Sequence, residues 1–203
     1  MQRRGCFLIA ESQKHKDAED LWAVQATLRG NPAAFETIVR RYTPVLYSLA
    51  YRLLGEGEEA EDAVQDILEK AFRNLPRFRI NKRFFPWLYT IGVNHLRSLE
   101  RRRRRRSRLK IVSSEPERIL ESVASEQGNP VKQSELREGE RLAQQALETL
   151  RVDYREVFVL RQIQDLSVQE VSEVLGIPEG TVKTYLHRAR KAMIDFLAGS
   201  GWE

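Results

Sequence analysis

The chain has 203 residues, of which 41% are hydrophobic and 31% charged, and a formal net charge of +5. This length holds one large domain or two small ones, and the single cysteine, Cys6, excludes an intrachain disulfide and a zinc site built from several cysteines. No segment reaches the ~20 consecutive apolar residues of a membrane-spanning helix, and the apolar stretch from Phe7 to Ala10 is too short for a signal peptide. We therefore expect a cytoplasmic protein.

The first hundred residues place apolar side chains at helical spacing in three successive stretches. The first stretch runs from Phe35 to Leu53 and ends at the glycines that follow. The second runs from Ala60 to Leu75 and ends before Pro76. The third is predicted to begin at Pro86, because the missing N–H of a proline costs nothing in the first turn of a helix. It continues into six consecutive arginines, Arg101 to Arg106, which we call the arginine run.

Helical periodicity fails from Ile111 to about Ser134, where Ser, Glu, Pro and Gly dominate. This composition is typical of a linker, with at most a short helical turn around Ile119 and Leu120. Periodicity returns near Ala143, and no stretch alternates like a strand. The prediction is an all-α protein of two small helical domains joined by a flexible linker. Its predicted divisions are an N-terminal extension (1–18), a first domain (19–108), an acidic linker (109–134) and a second domain (135–203).

Charge is distributed unevenly along the chain. Nine basic residues and one acid, Glu100, lie between Arg97 and Lys110, whereas the segment from Ile111 to Leu150 contains eight acids and four bases. A concentrated positive patch beside an acidic stretch indicates a polyanionic partner at one place. Taken alone, the arginine run could also be an address label or a solvated helix end.

Aromatic and basic residues are interleaved just before the arginine run, in the segment RFRINKRFFPWLY at residues 77–89. This combination suits single-stranded DNA, because bases stack on aromatic rings and phosphates pair with cations. About half of the aromatic cluster should be buried, since Trp87 and Leu88 cannot both face water cheaply. The segment favours DNA binding over an address label.

The most specific motif is LSVQEVSEVLGIPEGTVKTYLHRARKAM, residues 166–193. Ser167 and Glu170 can form a capping box at a helix start, and Gly176 can take the left-handed conformation that ends this helix. Pro178 then starts a second helix. The pattern predicts a helix-turn-helix.

The second helix of this motif has a free face that carries mostly basic side chains. Lys and Arg can bind phosphates or the acceptor edge of guanine, and Thr can contact a base edge or a phosphate. The alternative is a helical hairpin without DNA, which has little reason to expose so many basic groups on one face. The candidate DNA-binding residues are Lys183, Thr184, His187, Arg188 and Lys191.

Acidic residues, among them Asp62, Asp66 and Glu69, follow the outer face of the second helix of the first domain. The acidic residues could form a plain solvated face. The more specific hypothesis is that they form a docking face for a basic protein partner. No histidine or second acidic cluster converges on these acids, so a metal or glycosidase site is not expected.

Four ordered segments resemble those of a known family. They are AFETIVRRYTPVLYSLAYRLLG, EEAEDAVQDILEKAFRNLPRF, FPWLYTIGVNHLRS and the helix-turn-helix segment. They are similar to successive parts of a bacterial sigma factor of the two-domain extracytoplasmic-function (ECF) subgroup. The resemblance covers about residues 19–106 (domain σ2) and 136–198 (domain σ4). It implies a protein that binds core RNA polymerase and directs promoter recognition and DNA melting.

The resemblance also assigns roles to individual positions. The helix EDAVQDILEKAF is similar to the part of σ2 that docks on the clamp helices of the polymerase largest subunit, and σ4 resembles the domain that binds the flap and reads the −35 element. The loop RINKRFFPW resembles the one that captures an extruded base of the −10 element, and the next helix resembles the one lying on that element. The candidate docking residues are Asp62, Gln65, Asp66 and Glu69. The candidate −10 residues are Arg79, Asn81, Lys82, Arg83, Phe84, Trp87, Asn94, Arg97, Ser98, Arg101, Arg102 and Arg105.

Within the arginine run, only some side chains can face DNA at once, because helical positions rotate by ~100° per residue. Those that share a face with Asn94 and Ser98 are the candidate phosphate contacts, and the others are expected to be mostly solvated. The first group is Arg101, Arg102 and Arg105, and the second is Arg103, Arg104 and Arg106.

The family implies an anti-sigma factor as a further partner, and no catalytic residue, metal, cofactor or small-molecule substrate. Two other functions compete with this interpretation. A conventional helix-turn-helix regulator would bind an operator as a dimer, without needing the acidic face or the aromatic loop. A nuclease would need clustered carboxylates or histidines for metal binding, which the sequence lacks.

Overall fold

The computed structural model describes the backbone of residues 17–110 and 130–200, and the side chains of residues 17–106 and 138–200. These parts of the chain form helices and no strand, as the sequence predicts. Residues 1–16 of the N-terminal extension and residues 111–129, with the helical turn predicted around Ile119 and Leu120, lie outside the described residues. No helix in the described part is long and apolar enough to cross a lipid bilayer.

The N-terminal domain contains four α-helices. They are α1 (residues 17–28), α2 (Glu36–Leu54, after a 3-10 turn at Pro32–Phe35), α3 (Gly57–Asn74, before a 3-10 turn at Leu75–Arg77) and α4 (Phe84–Lys110). Gly55 ends α2 with φ of 83°, a left-handed conformation that favours glycine. The predicted start of α4 at Pro86 is wrong by two residues. Pro86 lies in the first turn instead, where its missing N–H is equally harmless.

The core of this domain consists of the apolar faces of α2, α3 and α4. Ile38, Leu46, Leu49, Ile67 and Leu88 are completely inaccessible to solvent. Each such side chain stabilises the fold by about 1.5–3 kcal/mol relative to full exposure. This packing holds α3 and α4 side by side, which determines the site described below.

A buried polar cluster attaches α1 to α2. Asp20 has no exposed surface, and its carboxylate accepts hydrogen bonds from the Tyr42 hydroxyl and the Arg41 guanidinium. Burial raises the pKa of Asp20, although the bonds from Tyr42 and Arg41 oppose this shift. A buried carboxylate is tolerated because both of its oxygens have partners.

The C-terminal domain also contains four α-helices. They are α5 (Pro130–Thr149), α6 (Val152–Phe158, continued by a π-helical turn at Val159–Ile163), α7 (Val168–Leu175) and α8 (Glu179–Gly199). Helix α4 extends to Lys110 and α5 begins at Pro130, so both ends of the predicted linker (109–134) are helical.

The predicted helix-turn-helix is present as α7 and α8. The Ser167 hydroxyl accepts a hydrogen bond from the Glu170 backbone N–H (3.2 Å), and the Glu170 carboxylate accepts one from the Ser167 N–H (2.8 Å), which completes the capping box. Gly176 ends α7 with φ of 66°, and Pro178 precedes the first residue of α8. The turn chemistry of the sequence therefore forms as predicted.

The two domains pack against each other mainly through α7, which lies on α4, and through the π-helical turn after α6, which lies on α2. Their apolar residues belong to one continuous cluster. The Tyr89 hydroxyl donates to the Gln164 side-chain oxygen (2.9 Å), and the Gln164 amide donates to the Ser48 hydroxyl (3.2 Å). Arg155 donates to the Leu53 carbonyl at the end of α2 (3.2 Å). The domain interface is thus both apolar and hydrogen-bonded.

Candidate nucleic-acid interface

An open groove of about 490 Å³ lies between helices α3 and α4. Four residues predicted to contact nucleic acid lie together along it: Trp87, Asn94, Ser98 and Arg102. Its other lining residues are Lys70, Asn74, Arg77, Ile91 and His95. The groove therefore combines one aromatic ring, side-chain amides and a hydroxyl with three cations. This set can stack on a base and bind the phosphate next to it.

Lys70 and His95 are residues of this groove that the sequence did not point to. The His95 side chain is only 6% exposed, and its Nδ1 accepts a hydrogen bond from Lys70 Nζ. Since an ammonium group can only donate, Nδ1 carries no proton and the neutral ring holds its hydrogen on Nε2. Nε2 lies 3.3 Å from Asp66 Oδ2 but makes no aligned hydrogen bond.

The electrostatic surroundings keep His95 neutral. Burial lowers its pKa most, Lys70 and Arg102 lower the pKa further, and Asp66 partly offsets them. A neutral ring can hold the Lys70 ammonium in the groove, whereas a charged ring would repel it. One sequence signal could have identified Lys70, because it is one of two cations, with Arg73, in an otherwise acidic helix. Asn74, four residues later, lies on the same face of α3.

The loop before α4 exposes most of its predicted DNA contacts. Arg79, Asn81, Lys82 and Arg83 are exposed, and Trp87 is half-buried.

Phe84 corrects the prediction made for this loop. It is 1% exposed and packs edge-on against Phe78, with ring centroids 5.5 Å apart, and against Trp87 at 5.4 Å. The ring of Phe84 therefore belongs to the core beneath the loop and is not available to a base. About half of the aromatic segment is buried, with Phe84, Leu88 and Tyr89 inside.

Two of the predicted −10 arginines contact acids of the C-terminal domain. Arg97 donates through Nε and Nη2 to Glu156 Oε1 (2.7 Å) and Oε2 (2.6 Å), and these bonds raise the pKa of Arg97. Arg83 donates through Nη1 to Glu170 Oε1 (2.5 Å) and through Nε to Asp17 Oδ2 (3.0 Å). In this structure Arg97 does not line the groove with Asn94 and Ser98, because its guanidinium group is directed to α6.

All six side chains of the arginine run are exposed, and they differ in the partners they contact. Arg101, Arg102 and Arg105 are exposed and form no ion pair within the described residues. Arg103 is exposed, as expected, but it also binds groups within the N-terminal domain. Its guanidinium donates to the Leu54 carbonyl (2.9 Å) and to Glu56 (2.8 Å), because the helix passes close to the end of α2.

Arg104 and Arg106 are exposed, as expected for the second group of the run. Arg104 pairs with Glu100 one turn earlier on α4, at 2.8 Å. A pair exposed to this degree contributes little to stability.

The predicted DNA-binding face of α8 is exposed. Its residues Lys183, Thr184, His187, Arg188 and Lys191 lie opposite the buried side of the helix. The Thr184 hydroxyl donates to the Gly180 carbonyl (2.9 Å), and Arg188 donates to the Tyr154 hydroxyl (3.0 Å). The apolar face packs α8 against the rest of the domain, which leaves these polar groups at the surface.

The predicted docking residues Asp62, Gln65, Asp66 and Glu69 are all exposed on α3. Glu69 accepts from Arg73 at 2.5 Å, and Asp66 lies 4.0 Å from Lys70. The acidic face is therefore partly compensated by cations one turn later. Within the described residues, no three His, Cys, Asp or Glu side chains are grouped as metal ligands.

Two family models match the chain. One, described as Sigma-70 region 2, matches residues 38–106, and the other, described as Sigma-70, region 4, matches residues 140–193. Together they include the groove, the arginine run and the helix-turn-helix.

Two solved structures have a similar fold. The structure of CnrH in complex with the cytosolic domain of CnrY aligns with a TM-score of 0.65 and 26% identity, covering 89% of this chain and 98% of that one. The sigma factor RpoE from Bartonella quintana, in complex with the anti-sigma factor NepR, aligns with a TM-score of 0.66 and 26% identity, covering 81% of this chain and 96% of that one.

Curated relatives match over most of their length. The ECF RNA polymerase sigma factor SigW of Bacillus subtilis (strain 168) is 33% identical over 174 residues, which cover 84% of this chain and 92% of SigW. The ECF RNA polymerase sigma-E factor of Escherichia coli (strain K12) is 31% identical over 172 residues, covering 84% of this chain and 90% of that protein. The chain belongs to the ECF sigma factors of the sigma-70 family.

Proposed function

We propose that this ECF sigma factor recognises the −10 element with the groove between α3 and α4. The observation that carries the proposal is the convergence of Trp87, Asn94, Ser98 and Arg102, with Lys70, on one open surface. An unstacked base would lie against the indole of Trp87, and the Asn94 amide would form hydrogen bonds with the base edge. Lys70 and Arg102 would bind the adjacent phosphates.

The same groove would assist DNA melting without forming or breaking a covalent bond. A base bound against Trp87 cannot return to its partner strand, so binding energy compensates for unstacking and unpairing of the duplex. Lys70, Arg77 and Arg102 supply the positive charge that retains the single strand. The protein therefore acts as an initiation factor in the cytoplasm, and RNA synthesis is performed by the polymerase.

The docking residues give the second part of the proposal. Asp62, Gln65, Asp66 and Glu69 form an exposed acidic face on α3 that would pair with a basic surface, namely the clamp helices of core RNA polymerase. This face lies on α3, which also lines the groove. Docking would therefore bring the groove to the point where the promoter opens.

The C-terminal domain would read the −35 element through α8. Its exposed face carries Lys183, Thr184, His187, Arg188 and Lys191, and such a face suits the major groove of duplex DNA. The flap of the polymerase would hold this domain in place.

A protein inhibitor is the remaining proposed partner. The structures of CnrH with the cytosolic domain of CnrY and of RpoE with the anti-sigma factor NepR support an anti-sigma factor for this chain as well.

Run-off transcription with purified core polymerase and a promoter library tests the proposal. We expect initiation from a subset of templates only when this protein is present. A protein that binds duplex operator DNA tightly as a dimer, and does not change polymerase output, would contradict the proposal and favour a conventional regulator.

A further inference from the structure

We propose that Tyr154, in the first turn of α6, is a positioning residue of the −35 surface, and that its hydroxyl holds the guanidinium group of Arg188 in the orientation that binds duplex DNA. The inference rests on the proposed function, in which α8 reads the −35 element. It extends the reading surface from the helix-turn-helix to a third helix, α6.

Arg188 differs from the other candidate residues of α8 in how its side chain is held. The Thr184 hydroxyl donates to the Gly180 carbonyl within its own helix, whereas Arg188 donates through Nη1 to the Tyr154 hydroxyl on α6, at 3.0 Å. Among the five candidates, Arg188 is the one whose side chain bonds to another helix in the described part of the chain. An exposed arginine without such a partner samples many rotamers and loses that freedom when it binds DNA.

Tyr154 is itself held firmly by its neighbours. Its backbone N–H donates to the Arg151 carbonyl (2.9 Å) where α6 begins. Its half-buried ring packs against the ring of Tyr185 on α8, with centroids 5.1 Å apart and an interplanar angle of 56°. The Arg151 guanidinium lies over the same ring, 5.1 Å from its centroid. Because an aromatic ring has few rotamers and this one is packed, its hydroxyl is a fixed acceptor for Arg188.

The bond to Tyr154 leaves the DNA-binding edge of Arg188 free. A guanidinium group carries several N–H donors in a planar fork, and Tyr154 takes only one of them, on Nη1. The Nε and Nη2 donors make no hydrogen bond within the described residues, and they match the O6 and N7 acceptors of guanine or two phosphate oxygens. The Tyr154 hydroxyl accepts from Arg188 and keeps its own proton to donate. The pair therefore presents only donors, which suits the acceptor groups of DNA.

The packing of α6 against α8 places Tyr154 beside the exposed face of α8. Tyr185 and Arg188 are three positions apart and therefore neighbours on the helix surface, so the ring that contacts Tyr185 also reaches Arg188. Arg188 is then oriented before DNA arrives, and less side-chain entropy is lost when it binds. It follows that the Tyr154 hydroxyl should contribute to DNA binding through Arg188 and not by itself.

The test is a double-mutant cycle in the full-length protein bound to core polymerase. Tyr154→Phe removes the hydroxyl and keeps the ring that packs on Tyr185, and Arg188→Ala removes the group that is positioned. The matched control is Tyr47→Phe on α2, where a tyrosine also stacks on a second tyrosine, with ring centroids 6.2 Å apart. The probe is a fluorescent duplex that carries a promoter recovered by run-off transcription from the library.

Tyr154→Phe should weaken binding of the duplex by about threefold to tenfold, the effect of one net hydrogen bond, whereas Tyr47→Phe should leave the affinity unchanged. Combined with Arg188→Ala, Tyr154→Phe should cause no further loss, because the group that it positions is already absent. The same loss with and without Arg188 would show that Tyr154 acts independently and would overturn the inference. An unchanged affinity of Tyr154→Phe would overturn it as well.

Thermal unfolding of the same variants separates positioning from folding. The unfolding midpoint of Tyr154→Phe should stay close to that of Tyr47→Phe, since both variants keep their ring packing. A lower midpoint together with equal losses of affinity in both backgrounds would assign Tyr154 a merely structural role and overturn the inference. Normal run-off transcription by the wild type with independent effects of the two substitutions would reject the inference alone. Absent run-off transcription by the wild type would reject the proposed function and this inference with it.

Discussion

The His95 ring on α4 accepts a hydrogen bond from Lys70 on α3, and its other nitrogen lies 3.3 Å from Asp66 Oδ2. Lys70 lines the groove, and Asp66 belongs to the predicted docking face. One buried side chain therefore connects the surface proposed to bind polymerase with the surface proposed to bind DNA. Because the His95 ring is neutral, the Lys70 ammonium group can lie beside it.

This neutrality makes stability depend on pH. The pKa of His95 is lowered in the folded chain from 6.5, so the unfolded chain binds more protons just below that pH. The free energy of unfolding should therefore fall as pH decreases through about 6.5, and level off below the folded pKa. Urea denaturation at several pH values should show this loss in the wild type and a smaller one in His95→Gln. Asp20, whose pKa is raised, titrates in both proteins, so its contribution cancels when the two pH profiles are subtracted. Identical pH profiles would contradict the assignment.

Lys70 should contribute one phosphate contact in the groove. Lys70→Met should lower the salt slope of −10 strand binding by about 0.7 in the complex with polymerase, without changing sequence preference. The control is Arg40→Gln on α2, where an exposed arginine pairs only with Glu36 in the described structure. Fluorescence anisotropy over a range of salt concentrations measures both slopes. A change in base preference in Lys70→Met would show that Lys70 contacts a base instead.

The arginine run should act through one face of α4. Replacing Arg101, Arg102 and Arg105 together by glutamine should lower the salt slope of promoter-complex formation by roughly 2 to 3. Replacing Arg104 and Arg106 should change it much less. Filter binding at several salt concentrations separates the two cases, and equal effects per arginine would indicate diffuse charge in place of an ordered contact face.

Arg103 belongs to neither set, because it donates to the Leu54 carbonyl and to Glu56 within the protein. Replacing Arg103 by glutamine gives a reference variant for the two sets. This replacement should lower the free energy of unfolding by about 1 kcal/mol, a typical net value for a hydrogen bond.

Charge reversal on α3 should separate docking from folding. Glu69 and Glu36 are both exposed and both pair with an arginine four residues later, at 2.5 and 3.0 Å. Glu69→Lys should weaken binding to core polymerase at least tenfold, or about 1.4 kcal/mol, whereas Glu36→Lys should have no effect. Surface plasmon resonance gives the affinities, and thermal unfolding checks that both variants are folded. Equal affinities would place docking elsewhere on the protein.

Alanine substitutions on α8 should distinguish base contacts from phosphate contacts. The candidates are Lys183, Thr184, His187 and Arg188. Replacing one that contacts a base should weaken binding by about 1–3 kcal/mol and relax the sequence preference at one position of the −35 element. Binding to a library of duplex sites measures the preference of each variant. If all four substitutions weaken binding equally on every sequence, α8 contacts only the backbone of the DNA.

Local chemistry explains why some features could be predicted from the sequence. The capping box of Ser167 and Glu170, the left-handed Gly176 and the exposed basic face of α8 depend on residues a few positions apart. Helical periodicity and turn residues act over the same short range. For this reason the all-helical fold, the helix-turn-helix and its free surface agree with the sequence interpretation.

Packing between distant segments decided the rest. Phe84 is buried because Phe78 and Trp87 close around it, and His95 reaches Lys70 only because the cores of α3 and α4 meet. Arg97 is 59 residues from Glu156, and nothing in either segment's sequence specifies that pair. Tertiary packing decides which side chains with the same local pattern line the groove, enter the core or lie at the domain interface. Burial is a property of the assembled chain, since it depends on which apolar faces come together.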